Sequence, residues 1–108
     1  MSEEYIEILT EIEEETFTCP ERVLFLSVIF QALLDATKEK TIVESSRTSV
    51  ERQHARAWFF CSVGVTCDNF EQICDHAGMS PSYTRSFAYK VIHSPDLKYV
   101  RQRIKKML

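Results

Sequence analysis

Residues 73–87 read ICDHAGMSPSYTRSF, and the fold turns on how this stretch is divided. Gly78 separates two apolar-patterned pieces, and Ser80-Pro81 follows it after a single methionine. A glycine accepts the left-handed backbone that commonly stops a helix, while serine followed by proline caps and starts the next one. The spacing therefore predicts a helix over 69–77, a tight turn, and a second helix from Ser80-Pro81 to about Ile92. Phe70, Ile73, Cys74 and Ala77 repeat at helical intervals in the first piece. Thr84, Phe87, Ala88 and Val91 form an i, i+3, i+4, i+7 stripe in the second, and Met79 is placed to plug the space between them. With that stripe inward, Ser82, Arg85, Ser86, Tyr89 and Lys90 are expected to face outward or to flank it.

Working outward, start signals divide the chain into about six short helices, and the expected fold is all-α, one compact bundle over 1–108 with a C-terminal helix-turn-helix at 69–92. Two glycines and three prolines leave little material for hairpins. Ser2 opens a helix near 3–16, and Thr18 with Glu21 makes a capping box for a helix near 20–37. The latter contains the longest apolar run, VLFLSVIFQALL at 23–34, which is too short to span a bilayer and suits a central buried helix. A polar connection follows at 38–47. Thr48 with Glu51 then opens a helix near 49–61 whose Val50, His54, Ala57, Trp58 and Cys61 share a face. SVGVT at 62–66 reads as a loop or short extended piece, and Asp68 as the cap of the helix after it. Ser94-Pro95 begins a last helix, 95–107, with Leu97, Val100 and Ile104 along one side.

Charge is distributed unevenly. The net value of −3 combines eight glutamates and no Lys or Arg in residues 1–21 with seven basic residues against Asp96 alone in residues 79–108. A basic stretch beside a candidate reading helix is the footprint that phosphate binding needs. Arg can pair with guanine edges, Ser and Tyr can donate to phosphates, and the free amides at Ser80–Ser82 would welcome a phosphate oxygen. The expected DNA-contacting set is Ser80, Ser82, Arg85, Ser86, Tyr89 and Lys90 on the second helix, with Lys98, Arg101, Lys105 and Lys106 along the backbone.

The stretch A-G-M-S-P-S at 77–82 with Y-T-R at 83–85 resembles the helix-turn-helix of bacterial and phage transcription regulators. Two residues depart from that pattern: Thr84 stands where Val or Ile is usual, and Cys74 where Ala is usual. More broadly, ARAWFF at 55–60 followed by FEQICDHAG at 70–78 looks like small regulators of phages, prophages and gene-transfer-agent clusters. That resemblance implies a transcription activator, or a factor that binds RNA polymerase, with double-stranded DNA as the expected partner. A homodimer would suit a palindromic site, but no heptad pattern in the sequence identifies a dimer helix.

Other chemistries are weaker. Cys61, Cys67, Cys74 and His76 carry spacings of five, six and one intervening residues, without a C-x2-C knuckle, so buried thiols are expected rather than a metal site. With an acidic start in place of a signal peptide, the cysteines are expected to be reduced in a cytoplasmic protein. No nucleophile elbow, P-loop or dinucleotide fingerprint is present, and neither enzyme activity nor a cofactor is expected. The competing class is a non-enzymatic interaction protein that modulates RNA polymerase. It would use the acidic N-terminal helix or the Trp58-Phe59-Phe60 run, three consecutive aromatics that cannot all face one core.

Overall fold

The computed structural model describes residues 20–38, 46–61 and 63–108. Within them the chain is all-α, with five helices and no strand: α1 (Pro20–Ala36), α2 (Ser46–Phe60), α3 (Val65–Ala77), α4 (Pro81–Ile92) and α5 (Leu97–Lys106). The expected helix at 3–16, the Thr18 half of the first capping box, Cys19 and most of the 38–47 connection lie outside the described residues.

α1 is the hub and packs against each of the other four helices. Leu26, Ile29, Phe30, Leu33, Leu34 and Ala36 recur at helical spacing and are all buried. They meet Phe70, Cys74 and Ala77 of α3, Phe87, Ala88 and Val91 of α4, and Val100 and Ile104 of α5 in a single core. The helix is central, as its apolar run implies, but one side is left uncovered among the described residues: Val23, Leu24 and Val28 are exposed, Leu24 by 67%.

Two starts move upstream. α3 begins at Val65 behind Gly64, not at Asp68, because the Asp68 amide already donates to the Gly64 carbonyl at 3.0 Å. Asp68 instead lies in the first turn, where a carboxylate complements the positive end of the helix dipole. α2 begins at Ser46, so Thr48 is inside its first turn rather than at its cap. Its inward face also differs from expectation. Arg52, Ala55 and Phe59 are buried, while Val50, His54 and Ala57 are exposed. Three adjacent aromatics left the helix's rotation open, and packing settled it. Phe59 wedges against Trp58 and Phe70 in edge-to-face contacts with ring centroids 5.1 and 5.9 Å away. Phe60 stays 43% exposed, and half-buried Trp58 donates its indole N–H to Asn69 at 2.8 Å.

The turn at Gly78 is as the sequence implies. Its φ of 74° is left-handed, its amide donates to the Asp75 carbonyl, and the Met79 amide donates to the Cys74 carbonyl, a Schellman arrangement. Met79 is buried and fills the corner between helices. Ser80 then caps α4 by accepting the Tyr83 amide at 3.1 Å, with Pro81 in the first turn. A Cβ at position 78 would meet the Arg22 guanidinium at 2.7–2.8 Å. Gly78→Ala therefore combines left-handed strain, roughly 1–2 kcal/mol, with displacement of Arg22. Loss of at least about 1 kcal/mol in urea unfolding is the expected result.

Arg22 belongs to a set that no periodicity reveals. A helix leaves its last four carbonyls without intrahelical donors, at the negative end of its dipole. Four arginines from other elements supply those donors here. Arg22 Nε donates to Ala77 O of α3 at 2.9 Å, and Arg56 Nε to Ala36 O of α1 at 2.9 Å. Arg101 Nη1 donates to Leu34 O and to the Thr37 hydroxyl, each at 2.6 Å. Arg85 Nε donates to Phe59 O of α2 at 3.0 Å, and its Nη2 to Cys61 O at 3.3 Å. The ends of α1, α2 and α3 are thus closed by long-range, charge-assisted bonds.

Candidate nucleic-acid interface

α4 has two distinct sides. Thr84, Phe87, Ala88 and Val91 are each at most 1% exposed. The buried Thr84 hydroxyl donates to the Ser80 carbonyl at 2.9 Å, so no polar atom of this residue is stranded in the core. Cys74 is fully buried beneath the turn. On the opposite side Ser82, Ser86 and Tyr89 are exposed, Tyr89 by 60%, with its ring 4.4 Å from that of His93. Lys90 is half-buried and already engaged.

Arg85 does not join that outward side, which corrects its placement from sequence. Its guanidinium turns back over the Phe70 ring at 4.7 Å and is held by the Phe59 and Cys61 carbonyls. Two orphan carbonyls at a helix end and a ring face are a better seat for a planar cation than open water. Arg101 is drawn inward in the same way by the end of α1. Ser80 is exposed, but its hydroxyl oxygen is occupied as a cap.

The start of α4 was the expected phosphate seat. It opens on a cleft of about 480 Å³ lined by Glu71, Asp75, Gly78, Met79, Ser80 and Pro81. The two carboxylates oppose the pull of the helix amides on an anion, so this end of α4 is a poor place for a phosphate.

Positive charge gathers elsewhere. A groove of about 920 Å³ runs between the end of α1, α2 and α5, and six of its lining residues are cations: Lys38, Arg52, Arg56, Lys98, Arg101 and Lys105. Among the described residues no carboxylate lines it. Lys38 is offset from outside by Asp35, at 3.5 Å, and by a close pairing with Glu51. The hydrogen bond to Lys38, then that to Arg47, holds the Glu51 carboxyl below the usual range, and the Glu51 bond raises the Lys38 ammonium above its own. Lys106 lies around the helix in a smaller cleft with Tyr99, Gln102 and Arg103. Lys38, Arg52 and Arg56 were not singled out from sequence, although the i, i+4 spacing of the two arginines on α2 puts them on one side and was a usable signal.

The cysteines go to separate surroundings. Cys61 Sγ donates to Val63 O, and Cys67 Sγ to Glu71, a bond that raises the thiol pKa together with burial. Burial raises that of Cys74. His76 is exposed and stacks on Phe25 with centroids 4.7 Å apart. Among the described residues no cluster of three or more His, Cys, Asp or Glu is arranged to hold a metal, and no helix is long and apolar enough to cross a membrane. No protein-family model, curated protein or solved structure matches the chain.

Proposed function

We propose that this chain is a small DNA-binding transcription regulator of phage-like type in which α3, the Gly78 turn and α4 form a helix-turn-helix. The observation that carries this reading is the two-sidedness of α4: a fully buried stripe of Thr84, Phe87, Ala88 and Val91 backs an outward side of Ser82, Ser86 and Tyr89. Such a helix is held rigidly by its core face while its polar face remains available to base edges in a major groove. Exposed Lys98, Lys105 and Lys106 on α5 supply the phosphate contacts. Arg85 and Arg101 are structural in this scheme, and Tyr89 takes the place of Arg85 as the principal reading residue.

The test is anisotropy of a fluorescent duplex against rising salt. Binding that weakens steeply between 50 and about 200 mM salt is expected of a phosphate-gripping protein. Tyr89→Ala should flatten the preference among duplexes while leaving the salt slope unchanged. Absence of duplex binding at low salt would reject the DNA reading.

A second reading is favoured by a different observation. Val23, Leu24 and Val28 form an exposed apolar face on α1, and Phe60, Val63 and Val65 are exposed near the α2–α3 connection. Exposed apolar groups in contiguous patches mark protein contacts, which suits a factor that docks on RNA polymerase. Pulldown from host lysate with and without nuclease separates the two, since only a protein contact survives nuclease.

A further inference from the structure

Clustering six cations in one groove of a chain with net charge −3 requires a cause. Helix capping accounts for part of it, because Arg56 and Arg101 close carbonyls at the end of α1. Ion pairing accounts for Lys38, and Arg52 is buried and partnered. Neither cause covers Lys98 and Lys105. Both are exposed, and neither joins an ion pair or hydrogen bond among the described residues. They are seven residues apart on α5, about 10 Å along the axis, on the same wall as Arg101 between them. Arg52 and Arg56 stand one turn apart, about 6 Å, on the α2 wall.

Resting on the DNA-binding reading above, we infer that this groove seats consecutive phosphates of one nucleic-acid strand, with Lys98 and Lys105 as the direct contacts and the capping arginines as the fixed positive field around them. Two rows of cations, Arg52 and Arg56 on one wall and Lys98, Arg101 and Lys105 on the other, flank a concave channel and match a linear polyanion. The same assignment explains why the acidic cleft at the start of α4 is tolerable in a DNA binder: the backbone grip is on the α2–α5 side, away from Glu71 and Asp75. Arg56 and Arg101 are already oriented by the carbonyls they cap, so the channel is preorganised before any strand enters.

The experiment compares the full chain with the double variant Lys98→Ala/Lys105→Ala in duplex titrations over a salt series. The double variant should bind roughly tenfold or more weakly at 50 mM salt, and its log–log salt slope should shrink by about 1.8, from two lost phosphate contacts at about 0.9 each. Lys98→Arg/Lys105→Arg, which keeps the charge, should restore both values. A second probe removes no cation: Gln53→Glu adds a carboxylate to the groove's rim and should weaken binding by repulsion. Duplex binding with an unchanged slope in the double variant, or indifference to Gln53→Glu, overturns the groove while leaving the DNA reading standing. No duplex binding by the unmodified chain overturns the reading itself.

Discussion

Phe59→Ala is expected to be the most destabilising single change in the described residues. The Phe59 ring is fully buried among Trp58 and Phe70, and truncation of such a side chain costs about 3–5 kcal/mol through lost burial plus the cavity left behind. Small domains have roughly 5–15 kcal/mol in total, so the variant should be marginal or unfolded at 37 °C. Urea melts followed by far-UV circular dichroism measure this directly. Phe60→Ala, one residue on, serves as the contrast. Its ring is 43% exposed, and loss of no more than about 1 kcal/mol is expected, within the range of surface changes. If the two variants exchanged rank, α2 would be rotated by one residue from the arrangement described here.

Arg85→Ala should act on stability and not on sequence preference. Removing the guanidinium leaves the Phe59 and Cys61 carbonyls without this donor and strips a cation from the Phe70 ring. Hydrogen bonds to charged groups contribute roughly 1.5–3 kcal/mol, so a loss of about 2–3 kcal/mol is expected. Arg85→Lys should recover only part of it, since a single ammonium cannot reproduce the planar fork that reaches two carbonyls. Measured on the folded fraction, the ranking of duplex sequences should be unchanged. A variant of normal stability with altered preference would return Arg85 to the reading surface. Lys98→Ala supplies the opposite pattern: an exposed side chain whose removal leaves stability within about 0.5 kcal/mol.

Legibility followed the range of the interaction involved. The Schellman stop at Gly78, the Ser80-Pro81 start and the inward stripe of α4 depend on groups within a few residues of one another, and each was readable in the string. Phe70, Cys74 and Ala77 were readable for the same reason, being repeats at one helical period on a helix with a clear polar side. The start of α3 was not, because Val65 and Thr66 are poor helix signals and Asp68 looks like a cap wherever it falls near a helix start. The face of α2 was not either. Trp58, Phe59 and Phe60 satisfy several rotations equally, and only the ring of Phe70, eleven residues beyond Phe59, selects one.

The candidate site shows the same division. Ser82, Ser86 and Tyr89 are outward because their helix's apolar stripe is inward, an inference within twelve residues of chain. Arg85 lies within about 60° of Ser82 and Tyr89 around the helix, so periodicity assigned it to the outward or flanking side. A long, planar cation can nevertheless bend back to carbonyls more than twenty residues away in sequence.

By itself, then, the order of residues determined the all-helical class, the bend at Gly78 and which side of α4 joins the core, since local backbone sterics and helical spacing are properties of neighbours in the chain. Tertiary structure alone decided which arginines are spent on helix ends and where the remaining positive charge collects. Orphan carbonyls become acceptors only after helices distant in sequence are packed side by side, and a groove has walls only when α2 and α5 face each other across the end of α1.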